Sequence, residues 1–221
     1  MCTACLVSSG STSSNLLGDE EIIMRALAEG EFVQQAKPAY DRVFGTENPF
    51  ESSFAPTIEA RMILFPVHYM MERPLARAIE KASSLLNETS FYLSLLERPK
   101  AEPQHRPYHW QIPFTHLEEY RALGYPFVLE NAIYSSCGTW GVMFSHERHG
   151  LLGGSRQFVE SIVHALPDLR QQVEDFLAVW KQNQTRFGSN LDWLPRMLEH
   201  VYGEGHAQEL MVRAGLSFSA D

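Results

Sequence analysis

The chain has few cysteines, no excess of basic residues and no long hydrophobic run. Its 221 residues include three cysteines, which are too few for the disulfide scaffold of a small secreted domain. Eighteen Lys and Arg face 27 Asp and Glu, and the net charge of −9 disfavours a protein that grips phosphate backbones. No stretch has the roughly 18 apolar residues that a membrane-spanning helix requires. We therefore expect reduced thiols, no nucleic-acid partner and no membrane association.

The amino-terminal residues lack the basic region and the apolar core of an export signal, so we expect a cytoplasmic protein. A run rich in Ser, Thr and Gly extends from Ser8 to Ser14 and predicts a flexible polar tail over residues 1–18. With 44% hydrophobic residues, the remainder is long enough to bury one core. We expect a single α+β domain over residues 19–221.

The amino-terminal half mixes helical and extended patterns. An acidic first turn predicts a helix over 19–36, which the Pro38 region ends or kinks. Apolar residues at three- and four-residue steps predict a second helix over 74–86, and alternation predicts a strand over 91–96. Residues 57–71 fit no single period, and the proline-rich stretch 99–113 is typical of an irregular surface segment.

A β-hairpin is predicted where two strand-like runs, 128–135 and 139–145, flank the small residues 136–138. Trp140, Val142 and Phe144 alternate with smaller residues, so they should share the core side of the sheet. Gly153 and Gly154 indicate a turn, after which Ser155 can cap a helix. Helical periods continue from there, so we expect a small, mostly antiparallel sheet packed with several helices and a helical carboxyl-terminal half.

Two cysteines near the start allow two chemical interpretations. Cys2 and Cys5 have the spacing of a redox or zinc pair, but no second pair completes four zinc ligands. Removal of Met1 would alternatively expose Cys2 as the nucleophile of an N-terminal-nucleophile hydrolase. Both enzyme alternatives stay open.

The histidines suggest a metal site without specifying one. The stretch 146–149 has two histidines but lacks the zincin spacing, because position 150 is glycine. A three-histidine site could be assembled from His105, His109 and His116 together with His146 or His149. No Gly-x-Ser-x-Gly elbow or phosphate-binding glycine motif is present in the sequence. We therefore expect no metal, no cofactor and no catalytic residue.

The sequence of the predicted hairpin is similar to a pattern found in other proteins. Its sequence is Glu-Asn-Ala-Ile-Tyr-Ser-Ser-Cys-Gly-Thr-Trp-Gly-Val-Met over 130–143, and it continues to the Gly-Gly-Ser of 153–155. This pattern of a Tyr-Ser strand, a small-residue turn, Trp-Gly and a Gly-Gly turn resembles bacterial immunity proteins that neutralise toxins. The resemblance is confined to residues 130–155 and implies an α+β inhibitor that is not an enzyme.

The resemblance and the acidity together suggest an immunity-type protein that covers the active surface of a cognate toxin, since negative charge steers association with a basic target. An unrecognised enzyme and a non-enzymatic adaptor are the alternatives. The sequence does not specify an oligomeric state. The predicted partner contacts are Glu20, Glu21, Glu29, Glu31, Tyr108, Trp110, His146 and Glu147.

Overall fold

A seven-stranded antiparallel sheet forms the centre of the protein. The computed structural model describes residues 24–68, 70–96, 107–117, 120 and 130–216. The strand order is β1-β4-β3-β5-β6-β7-β2, and every neighbouring pair is antiparallel. The strands are β1 (Arg25–Leu27), β2 (Ala60–Leu64), β3 (Ser90–Leu95), β4 (His109–Pro113), β5 (Asn131–Ser135), β6 (Trp140–Phe144) and β7 (Gly150–Gly154).

Helices cover both faces of the sheet. They are α1 (Glu29–Glu31), α2 (Lys37–Val43), α3 (Arg73–Ser84), α4 (Arg156–Ala165), α5 (Gln172–Phe187), α6 (Leu194–Tyr202) and α7 (Glu204–Arg213). A π-helical segment, Phe32–Ala36, joins α1 to α2, and 3-10 segments span Phe114–His116 and Pro167–Arg170. Among the described residues, no helix is both long and apolar enough to cross a membrane.

Alternate residues of the central strands belong to two hydrophobic clusters, one on each face of the sheet. Trp140, Val142 and Phe144 pack with α3 and α4, whereas Met143 packs with α2, α5, α6 and α7. The period of two in a strand produces this division, because successive side chains point to opposite faces. The predicted shared side of these three β6 residues is confirmed, and so is the α+β class.

Several other predicted elements are confirmed. Helix α3 and strand β3 lie where their patterns placed them, and the β5–β6 hairpin turns at Gly138 with φ of +71°. Ser155 caps α4, since its Oγ accepts a hydrogen bond from the Phe158 N–H at 3.2 Å. The residues from 156 to 213 are mainly helical. The predicted tail over 1–18 lies outside the described residues.

The helix predicted over 19–36 is wrong at residues 25–27. These residues form β1, where Arg25 pairs with Gln111 and Leu27 with His109 of β4. Pairing with a neighbouring strand overrides the helical pattern here. The helix after β1 contains Pro38. The backbone just before this proline forms a π turn, in which the Lys37 N–H donates to the Phe32 carbonyl. This wider turn accommodates Pro38, which has no backbone N–H to donate.

The irregular segment predicted over 99–113 is wrong at its end, because His109–Pro113 forms strand β4, which lies between the edge strand β1 and β3. The turn predicted at Gly153 and Gly154 is also wrong, since both residues belong to β7. A Cβ at Gly153 would lie 2.6 Å from Phe54 Cε1. The glycine therefore serves close packing on the sheet face rather than a turn.

Candidate partner-binding surface

The β6–β7 turn is a tight connection over residues 145–149. The Ser145 N–H donates to the His149 carbonyl at 2.9 Å, and Ser145 Oγ accepts from the Glu147 N–H at 3.0 Å. Arg148 takes the left-handed conformation, with φ of +61°. These bonds fix the turn, so that His146 and Glu147 project from the end of the sheet in a defined arrangement.

His146 is held between two carboxylates. Its Nδ1 lies 2.6 Å from Glu130 Oε1, and its Nε2 lies 3.6 Å from Glu147 Oε1. The side chain of Glu130 is 11% exposed, whereas those of His146 and Glu147 are each 44% exposed. Glu130 thus supports the imidazole from beneath, while Glu147 stays available to solvent or to a partner.

Beneath the turn, His149 is completely buried in an aromatic cage. Its ring stacks on Trp193 at a centroid distance of 6.0 Å and meets Phe50 and Phe176 edge to face at 5.1 and 5.3 Å. Its Nε2 lies 3.4 Å from the Pro49 carbonyl. Burial lowers the pKa of His149 to about 4, so the imidazole is neutral at physiological pH.

Phe50 joins the buried cage to the surface. Its ring lies 5.5 Å from that of His146 and 5.0 Å from that of Trp193. The loop carrying it is closed by Asn48, whose Oδ1 accepts from the Phe50 N–H and whose amide donates to Glu51 at 2.8 Å. Phe50 and Trp193 are both partly exposed.

These elements form one surface at the turn end of the sheet. Glu51, Glu147 and Asp192 contribute exposed carboxylates, and Asp192 precedes Trp193 in the chain. We call this the acidic aromatic surface and define it by Phe50, Glu51, Glu130, His146, Glu147, Asp192 and Trp193.

The predicted contact residues fall in two places. His146 and Glu147 belong to the acidic aromatic surface, whereas Glu29 and Glu31 lie in α1, beside β1 and β4. Glu31 accepts from the Ala28 N–H at 2.9 Å and pairs with Arg25, and these contacts lower its pKa. Glu20 and Glu21 lie outside the described residues.

Two aromatic residues among the predicted contacts pack against the core. Trp110 is 6% exposed, and Tyr108 is partly buried against the same cluster as Trp110. The prediction that these residues form a surface loop is wrong for Trp110, because the pairing of β4 with β3 turns its indole inward. Trp110 therefore offers almost no area to a partner in this conformation.

Phe50, Glu51 and Trp193 are functional candidates that the sequence pattern hardly indicates. The Asn48–Pro49 pair signals a turn, but nothing local indicates that Phe50 packs on a turn almost 100 residues later in the chain. Trp193 follows a residue that signals a helix start, Asn190, whose Oδ1 accepts from the Asp192 N–H at 2.8 Å. Only the folded sheet brings these three segments together.

The histidines proposed as metal ligands are separated. His109 is buried, stacks on Phe32 at 3.5 Å and shares a 2.8 Å hydrogen bond with Ser94, which in turn bonds the Tyr134 hydroxyl at 2.9 Å. His116 lies beside Thr115. Within the described ranges, no three His, Cys, Asp or Glu side chains are grouped as metal ligands. His105, Cys2 and Cys5 lie outside those ranges.

The comparisons with known proteins found no matching family model, no matching curated protein and no matching solved structure.

Proposed function

We propose that the protein is an immunity-type protein, which binds a cognate toxin and neutralises it by covering the toxin's active surface. The observation that carries this proposal is the acidic aromatic surface, where two partly exposed rings lie among carboxylates. The resemblance of the hairpin over 130–155 supports it, because β5 and β6 position Glu130 and His146 within this surface.

The rings supply the kind of contact that dominates binding energy. Phe50 and Trp193 lie edge to face at 5.0 Å and rest on the buried His149 ring. Large aromatic side chains are enriched among residues that cost the most binding energy when truncated. Because both rings already pack against the buried His149 ring, they lose little conformational entropy when a partner covers them.

The charge of the surface specifies the chemistry of the partner. Glu51, Glu147 and Asp192 are exposed, and the one guanidinium of the turn, that of Arg148, lies 3.4 Å from His68 Nε2. A surface of this sign favours a partner rich in Lys and Arg and accelerates its encounter at low salt. Toxins that cleave nucleic acid carry such basic active surfaces because they must hold phosphates.

The experiment is co-expression of this chain with the protein encoded by the gene immediately upstream, scored for survival of the host cell. A double charge reversal, Glu51→Lys with Glu147→Lys, should abolish protection and weaken the purified complex by at least about a hundredfold. The matched control reverses two exposed carboxylates outside the surface, Glu160→Lys with Asp175→Lys, and should retain protection.

Three results would contradict the proposal. The first is that the upstream product is harmless to cells when expressed alone, which would favour the adaptor alternative. The second is that the toxin kills cells regardless of this chain, although the chain is soluble and folded. The third is that both double variants protect equally well, which would place the contact elsewhere on the protein.

A further inference from the structure

We propose that a cavity between α3, α4 and the 3-10 segment Pro167–Arg170 binds a small hydrophobic primary amine in its protonated form. The cavity has a volume of about 400 Å³ and lies beyond the end of strand β2 at Leu64. This volume lies within the usual range of small-molecule sites. The site is separate from the acidic aromatic surface in its residues and does not depend on the proposed function.

The walls of the cavity are mainly apolar. Nine of the twelve described lining residues are aliphatic or proline, among them Val67, Leu75 and Leu166. The remaining three are Glu72, Asp168 and Gln172. Gln172 is held in place because its Oε1 accepts a hydrogen bond from the Phe65 N–H at 2.7 Å. A ligand with a compact hydrocarbon body matches these walls, because its burial removes apolar area from water.

Both charged groups in the described lining are carboxylates, but they are not equivalent. Glu72 Oε1 lies 2.7 Å from His68 Nδ1. Asp168 is exposed, and its carboxylate has no hydrogen bond or ion pair within the part of the chain that the structure describes. An ammonium group on a ligand in the cavity would pair with this carboxylate.

The dipoles of the two helices that end beside the cavity also favour a positive charge near Asp168. Helix α4 ends at Ala165, so the negative end of its dipole lies beside Ala165 and Leu166, which both line the cavity. Helix α3 begins on the opposite side with its positive end, where Glu72 occupies the N-cap position. A cation is therefore favoured near Asp168 and the end of α4, rather than near Glu72.

The test uses three probes of one shape and different charge: 2-phenylethylamine, 2-phenylethanol and 3-phenylpropanoate. Binding is followed by NMR titration of the full chain at pH 7.5 and low salt. The amine should bind saturably with a Kd of about 1 mM or tighter. It should bind at least about threefold tighter than the alcohol, and the carboxylate should bind more weakly than either.

Three variants assign the binding to this cavity. Asp168→Asn should remove the preference for the amine while leaving alcohol binding unchanged. Ala165→Phe, at an exposed position of the lining, should block the cavity and abolish binding of both probes. Asp175→Asn makes the same charge change on α5, outside the cavity, and should bind the amine as the parent protein does.

The proposal is overturned if no probe binds, if amine and alcohol bind equally, or if Asp168→Asn and Asp175→Asn weaken amine binding to the same extent. If Ala165→Phe fails to fold, as judged by circular dichroism, the comparison of the two Asp→Asn variants still decides the result, because both change exposed side chains.

Discussion

The indole N–H of Trp140 donates a hydrogen bond to Oε2 of Glu88 over 3.1 Å, and this contact joins the β5–β6 hairpin to the segment between α3 and β3. The other carboxylate oxygen of Glu88 accepts from Ser135 Oγ at 2.7 Å and from Thr139 Oγ1 at 2.9 Å. Glu88 is 5% exposed. Burial raises its pKa, and the three hydrogen bonds oppose that shift.

Replacing Glu88 with alanine should destabilise the protein by about 3 kcal/mol, because it leaves the buried indole N–H and the buried Ser135 hydroxyl without their acceptor. Urea denaturation followed by tryptophan fluorescence measures this loss. The control, Glu160→Ala on the exposed face of α4, should change the stability by less than about 0.5 kcal/mol. Equal effects of the two variants would show that the Glu88 network contributes nothing specific.

Two glycines of the sheet allow the amino-terminal segments to lie directly on the backbone. A Cβ at Gly141 would be 2.6 Å from Val43 Cγ1, and one at Gly153 would be 2.6 Å from Phe54 Cε1. Gly141→Ala and Gly153→Ala should each lower the free energy of unfolding by about 1–3 kcal/mol, because the core cannot absorb the added methyl group without shifting. Thermal and urea unfolding measure both values.

Gly30 and Gly205 provide the matched controls. Both lie in helices, and a Cβ built at either position meets nothing within 4 Å. Gly30→Ala and Gly205→Ala should be neutral or should stabilise the protein by up to about 1 kcal/mol, since alanine restricts the unfolded chain. Gly141→Ala or Gly153→Ala behaving like these controls would refute the close-packing explanation.

The elements that the sequence predicted are those whose signals are local. Trp140, Val142 and Phe144 alternate along one strand, and Ser155 directly precedes the helix that it caps. Strands β1 and β4 were missed because their signals are not local: Arg25–Leu27 is extended only through pairing with β4. The prolines around β4 likewise hid a strand that its two neighbours stabilise.

The same distinction applies to the candidate surface. His146 and Glu147 belong to a turn that the sequence indicates, so they could be named in advance. Phe50 and Trp193 enter the surface from opposite ends of the chain and meet at 5.0 Å only after the sheet has formed. The periodicity of a single segment does not indicate a contact between two residues that lie far apart in the chain.

His149 should make the protein sensitive to acid. Burial lowers its pKa to about 4 from an ordinary 6.5, so the unfolded state binds a proton more readily than the folded state between these values. The contribution to stability is complete above pH 6.5 and is lost as the pH falls towards 4, by about 3 kcal/mol at most. Urea denaturation at steps from pH 7.5 to 4.5 measures the slope.

His200 contributes to the same slope, because burial also lowers its pKa to about 4. A variant is therefore needed to show how much of the pH dependence is due to His149. His149→Leu should make the dependence of the unfolding free energy on pH less steep without abolishing it, because His200 still contributes. His164→Gln, which removes an exposed histidine, should leave the slope of the parent protein unchanged. An unchanged slope in His149→Leu would mean that the buried imidazole is not an acid-sensitive group.

Tyr202 should protect the outer edge of β2. This strand pairs with β7 on one side, and on the other side the Ile63 N–H donates to the Tyr202 hydroxyl at 3.1 Å. Burial raises the pKa of Tyr202 to about 12, so the hydroxyl remains protonated and uncharged at physiological pH. Tyr202→Phe should cost about 1–2 kcal/mol in urea denaturation, because the strand N–H loses its acceptor.

The variant should also associate more readily than the parent protein, since an unpaired strand edge is a template for another strand. Light scattering at increasing protein concentration detects this association. Tyr40→Phe is the control: it removes a hydroxyl that donates to the Thr46 carbonyl at 3.3 Å in a loop, away from any strand edge. If Tyr40→Phe and Tyr202→Phe associate to the same extent, loss of stability alone explains the association, and the tyrosine at the strand edge has no protective role.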